Sequence, residues 1–237
     1  MTPEAKTRIQ LALGLAVAIA ALRTGYILYE RHEENLAVTA KPADVGYSNP
    51  DYYVSPKKLY PFDLKSAKQL TTMPVWVREG YRYTYYPYNA GHVDFGHEAG
   101  LLLPIEKLQI KDVVIALAPS GQNRKQVMAV FEKDGKSYAV PIGFEADDQY
   151  KIYSDEMFYI EDPHDLYKHW SADTWKSIEQ HEVKPGMNEM QAVFALGMGV
   201  PDAGSTEEEK TVHYPNGGKP LVIDYHNGKA VDIKPGA

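Results

Sequence analysis

The 237-residue chain contains no cysteine. Disulfides, thiolate nucleophiles, Cys-ligated zinc, iron–sulfur clusters and Cys-attached haem are thereby excluded. A chain without thiols is compatible with an oxidising envelope compartment. Basic residues are also in deficit, with 25 Lys and Arg against 32 Asp and Glu, a formal net charge of -7. Residues before Glu30 hold Lys6, Arg8 and Arg23 against Glu4, which leaves 22 basic and 31 acidic groups, net -9, for the remainder. Affinity for nucleic acid comes from clustered Lys and Arg, so no nucleic-acid partner is expected. Catalytic signatures are missing as well. His181-Glu182 begins like a zincin motif, but Pro185 stands four residues after His181. Ser120-Gly121 lacks the G-x-S-x-G elbow, and Gly217-Gly218-Lys219 lacks P-loop spacing. No enzymatic activity and no cofactor are expected.

Hydrophobic residues make up 44% and charged residues 24%, which suits a folded body. The 18 Tyr are the unusual feature. Each joins a large apolar face to a polar tip, a combination used at partner contacts and membrane interfaces, and also in β-strands. One long apolar stretch stands near the N-terminus. Lys6 and Arg8 precede a segment from Ile9 through Leu15 and Leu22, and Arg23, Tyr26 and Tyr29 close it. A helix over Ile9–Tyr29 is roughly 32 Å long, enough to cross the hydrocarbon core. Arg23 near one end can snorkel, and Tyr26 and Tyr29 suit the interfacial belt. A cleaved signal peptide is the competing reading. The Ala-x-Ala triplets lie inside the apolar run, however, and apolar residues resume after Arg23. We therefore expect a permanent single-pass anchor over residues 1–35, in a bacterial inner membrane with the body on the periplasmic side. Basic residues on both sides leave orientation undecided by the positive-inside rule.

The expected fold class is α+β, with the transmembrane helix followed by an SH3-like β-barrel domain and a small α-α-β-β-β domain. Pro-, Asp- and Asn-rich sequence over 36–72 predicts an extended linker. From 73 to 161 the pattern is β. Val75–Val77 makes a short strand, and Tyr81, Tyr83 and Tyr85 alternate with Arg82 and Thr84. Strands are also expected at Leu108–Ala118, Val127–Phe131, Ser137–Ile142 and Lys151–Ile160, with Asp134-Gly135 as a tight hairpin turn. Val75–Gly80, Tyr85–Tyr88, Gly100 and Leu103–Ile110 give this segment a pattern that resembles an SH3-like barrel, which implies a binding fold without naming a ligand.

Helical signals open the segment 162–237. Asp162 with Pro163, Ser171 or Asp173, and Asn188 with Gln191 are helix starts. Met190, Val193, Phe194 and Gly197 predict one apolar stripe. Three strands follow, at Lys210–Tyr214, Leu221–Tyr225 and Ala230–Ile233. The run Val183–Val193, with Leu196-Gly197 and Pro201, is similar to the helix of the BamE/SmpA family. That resemblance implies a small envelope domain that binds other proteins during outer-membrane assembly. The chain lacks that family's lipobox cysteine and carries a large extra domain. The overall plan of one N-terminal span and a β-rich body is similar to the H subunit of photosynthetic reaction centres, with an echo in Tyr26–Tyr29 and Glu33-Glu34-Asn35. This second likeness implies a cytoplasmic body.

Three sets of side chains are candidates for chemistry. His92, Asp94, His97 and Glu98 could ligate a divalent ion, though Gly91 and Gly96 mark a loop. His164, Asp165 and His169 have helix spacing that suits capping better than shared ligation, and no metal site is expected at either. Tyr81, Tyr83, Tyr85, Tyr86 and Tyr88 are the best candidates for a partner-binding surface, as aromatics are in SH3-type recognition. The expected role is a structural or accessory subunit in the bilayer that docks on and stabilises an integral-membrane complex, photosynthetic or respiratory. The alternatives are an envelope assembly factor and a hydrolase using His92, Asp94 and His97 through a metal.

Overall fold

Val75, Trp76 and Val77 are all buried, although a strand points successive side chains to opposite sides. Such a strand must have a core on each side of it, and the computed structural model shows two. Residues 23–26, 50–80, 82–119, 125–206 and 208–236 are described. The chain divides into two compact units, 1–52 and 53–237. Ile9, Leu15, Leu22 and Tyr29 of the expected anchor lie outside the described residues, and Arg23 and Tyr26 lie in a helical turn over 23–26. Among the described residues no helix is long and apolar enough to cross a membrane.

The unit from residue 53 is α+β, with antiparallel sheets and short helices. Its strands are β1 (Val75–Val77), β2 (Thr84–Asn89), β3 (His92–Val93), β4 (Gly100–Leu101), β5 (Lys107–Leu108), β6 (Ile110–Leu117) and β7 (Lys125–Lys133). They continue with β8 (Lys136–Ala146), β9 (Gln149–Ile152), β10 (Phe158–Tyr159), β11 (Val200–Pro201), β12 (Glu209–Tyr214), β13 (Leu221–His226) and β14 (Lys229–Pro235). The helices are α1 (Leu64–Ala67), α2 (Ser154–Met157), α3 (Pro163–Leu166), α4 (Ala172–Glu179) and α5 (Glu189–Leu196). A large sheet runs β3-β2-β8-β7-β6, with β4 on β2 and β9 on β8. A second sheet runs β11-β12-β13-β14, and a strip of three strands runs β10-β1-β5.

Two-residue turns set much of the register. Asp134-Gly135 and Asn227-Gly228 both have positive φ at each position, the conformation that matches hairpin twist. β7 reads as the unbroken run Val127–Phe131 because both its faces are covered. Val127, Ala129 and Phe131 enter one apolar cluster, and Met128 and Val130 enter another. At Gly143 a side chain is excluded by close approach, since a Cβ there would lie 2.4 Å from the Lys151 carbonyl oxygen on β9.

Several expectations are corrected. The end of the expected linker is folded: the Asp63 side chain caps α1, and Ala67 and Leu70 are buried in the first core. The strand expected over Lys151–Ile160 breaks into β9, α2 and β10, because Ser154–Met157 turns the chain back so that Phe158 and Tyr159 pair with β1. The stripe on α5 is wider than predicted. Gln191, Ala192, Phe194, Ala195 and Leu196 are buried, while Met190 and Val193 are half-buried, as befits a helix covered on most sides. The caps form as read: Asn188 and Gln191 exchange both bonds of a capping box, at 2.8 and 2.9 Å.

The first core holds Val75, Val77, Leu108, Phe131, Ile142 and Phe158. The second holds Trp76, Tyr159, Trp170, Trp175, Phe194 and Tyr214. Alternation along β1 and β10 therefore deals side chains to both. Trp76 and Tyr159 stand opposite each other in register, Lys107 Nζ lies 5.0 Å from the centre of the Trp76 ring, and Arg78 lies over Tyr159. The Tyr159 hydroxyl donates to the Glu79 carboxylate, which satisfies its polar tip inside the core.

Removing the Trp76 indole should cost about 3–5 kcal/mol, the usual range for a buried aromatic truncated to alanine. We expect Trp76→Ala to lower the unfolding free energy by that amount, measured by denaturant titration followed by circular dichroism, with one transition remaining. A second expectation concerns alkali. The Tyr214 and Tyr225 hydroxyls meet at 2.9 Å in the second core. Burial pushes the Tyr225 phenol up to about 12 and moves Tyr214 upward as well. A free phenol ionises near ~10, so the neutral pair gives its full stabilisation below that pH. Above it the unfolded chain ionises first, and stability falls as pH climbs toward the folded value. Thermal melts from pH 8 upward should show that decline, and Tyr225→Phe should flatten it.

Candidate functional site

The tyrosine run does not present one aromatic row. Tyr81 lies outside the described residues, and the others divide by strand alternation. Tyr85 is 8% exposed and belongs to the first core, where it meets Phe131 and Tyr138 edge-on at 5.5 and 5.0 Å. Gly100 makes room for it, since a Cβ there would lie 2.8 Å from the Tyr85 hydroxyl. Tyr83 packs against the same core. Tyr86 and Tyr88 point the other way, onto the outer face of β7 and β8. Tyr83 and Tyr85 therefore serve the first core, and among the described tyrosines of the run Tyr86 and Tyr88 are left for a surface.

That outer face has a buried floor of Val93, Met128, Val130 and Ala139. Tyr86, Tyr88 and Phe95 form its half-exposed upper layer, with Val114 and Ala116 continuing it toward the edge strand. Tyr86 and Phe95 rings lie 5.2 Å apart. Burial, and then the Glu98 carboxylate, push the Tyr86 phenol up. Val93 and Phe95 were not among the sequence candidates. Their spacing of two, after the Ala90-Gly91 turn, was the available signal that both fold back onto the sheet.

No protein-family model, curated protein or solved structure matches this chain.

The polar candidates form local pairs and do not gather into one site. Asp94 accepts from the backbone N–H of Gly96 at 3.1 Å and pairs with His97 Nδ1 at 2.9 Å. The hydrogen bond from His97 holds the Asp94 carboxyl below its usual value. His92, His97 and Glu98 are exposed. His164 pairs with Asp162 at 2.8 Å and Glu179 at 3.2 Å and stacks on Trp175 at 4.1 Å. Its partners are thus neither Asp165 nor His169, and His169 stands beside the Tyr167 and Trp170 rings. Among the described residues no three His, Asp or Glu side chains are placed to hold a metal.

Tetranitromethane should separate the two tyrosine faces, because it attacks accessible phenolates. Peptide mass spectrometry is expected to find Tyr88 nitrated first, Tyr86 more slowly because its phenol is harder to ionise, and Tyr85 last. Early nitration of Tyr85 would mean that it is not in the core.

Proposed function

We propose that the chain is a membrane-tethered, non-enzymatic accessory subunit that docks its body on an integral-membrane protein complex through the face carrying Tyr86, Tyr88 and Phe95. The observation that carries this reading is the layer of half-exposed aromatics over a buried apolar floor, on a sheet whose opposite face already packs a complete core. Aromatics of this kind anchor interfaces because they bring large contact area at low entropic cost. The sequence of Ile9–Tyr29 supports a tether in the bilayer of a bacterial inner membrane, and a tether confines the choice of partner to other membrane assemblies. The net charge of -9 beyond the anchor favours a partner surface that is basic around its apolar centre. We read the body as periplasmic.

The strand order supports the SH3-like reading of the middle segment. β10 pairs with β1, β1 with β5, and β6, β7 and β8 continue as a meander from β5, with a helical turn before the last strand. A second reading, the BamE-like envelope assembly factor, is favoured by the order α4-α5 followed by the antiparallel strands β12-β13-β14, with the short β11 added before them, and by the capped helix that follows Gly186-Met187.

Solubilisation in mild detergent distinguishes the two. An accessory subunit should co-migrate with its complex at fixed stoichiometry, whereas an assembly factor should be substoichiometric. We expect the double substitution Tyr88→Glu, Phe95→Glu to release the complex while the chain stays in the membrane pellet. Retention of the complex by a folded double variant would rule out this docking face.

A further inference from the structure

Among the described residues a groove of about 340 Å³ opens between the segments leading into β2 and out of β4, the ends of α4 and α5, and the β12–β13 turn. Arg82, His181 and Lys219 line it together with the amides of Gln180 and Asn216, and Leu103 and Pro104 form an apolar wall. No carboxylate among the described residues lines this groove, in a chain that carries 32 of them. Elsewhere the exposed cations are commonly paired, as in Lys57–Glu161, Lys125–Glu145 and Lys234–Asp224. Arg82 and Lys219 have no carboxylate partner among the described residues.

Each side chain is held by the fold. Arg82 Nη2 donates to the Leu196 carbonyl oxygen at 2.8 Å, and His181 Nδ1 donates to the Ala195 carbonyl oxygen at 3.0 Å. Both carbonyls end α5, where cations are favoured by the helix dipole. Capping uses one of the five guanidinium N–H groups and leaves the others for a ligand. Gly217, at φ +61, brings the turn over the guanidinium, and a Cβ there would lie 2.8 Å from Arg82 Nη1. Burial pulls the Arg82 pKa below its ordinary value, as expected of a cation short of a counter-ion.

We propose that this groove binds a phosphate group, with Arg82 as a preoriented fork and Lys219 as a second cation at the rim. A planar guanidinium fixed by the α5 carbonyl suits oxyanion recognition, and a flexible ammonium adds charge. The group arrives either as a free phosphate or on a phospholipid headgroup, since both present the same oxygens.

The test uses the full chain and amide hydrogen exchange over 180–182 and 215–219. In lipid-free nonionic detergent, inorganic phosphate is compared with chloride at matched ionic strength. In the second arm, the chain is placed in phosphatidylglycerol nanodiscs without added phosphate. Slowed exchange in the first arm assigns a free phosphate, and slowed exchange only in the second assigns a headgroup. In either case Lys219→Gln should weaken the effect about tenfold, the loss of one charge-assisted contact. The Lys219 side chain is exposed, and only its backbone N–H, which the substitution keeps, bonds the turn at Asn216, so this variant stays informative even if Arg82→Gln loosens α5. Unchanged exchange in both arms, or an effect indifferent to Lys219→Gln, would overturn the proposal.

Discussion

Three short strands hold the molecule together. The strip β10-β1-β5 contributes only a handful of residues, yet it is the wall that two cores share. Strand geometry makes this possible, because successive side chains leave opposite faces. Val75 and Val77 go to the first core and Trp76 goes to the second, and across from them Phe158 and Tyr159 divide in the same way. A strand buried on both faces is costly to expose, so each core is a reason for the other to stay folded. The polar tip of Tyr159 would be a liability in such a wall, and Glu79 with Arg78 removes it.

That wall also positions the surfaces on which the functional reading rests. With its inner face committed to the first core, the large sheet can offer only its outer face, where Tyr86, Tyr88 and Phe95 lie over Met128 and Val130. The same junction brings Arg82, two residues before β2, against the end of α5 more than a hundred positions later in the chain. The aromatic layer and the basic groove are therefore lined by different residues of one framework.

Much of this was legible in the sequence where physics is local. The hairpin at Asp134-Gly135 and the caps at Asp162 and Asn188 depend on neighbouring residues and formed as read, and of Ser171 and Asp173 it is Ser171 that caps α4. The α+β class followed from the same signals. What depended on distant residues was not legible. The tyrosines from Tyr81 to Tyr88 were expected to share one surface, whereas Tyr83 and Tyr85 pack on the first core and Tyr86 and Tyr88 on the opposite face. The burial of Ala67 and Leu70 came from packing on the first core, in a stretch whose composition reads as linker. Trp76 gave no sign of facing a second core, because that core is assembled from residues 159–230.

If the shared strip governs stability, the two cores must open together. Native-state hydrogen exchange measures this directly, by comparing amides of β7 and β8 with those of β12 and β13. The expected result is one common opening free energy for both sets, with the amides of Val75–Val77 among the slowest. Exchange of the C-terminal sheet at markedly lower free energy, while β7 and β8 remain protected, would contradict it.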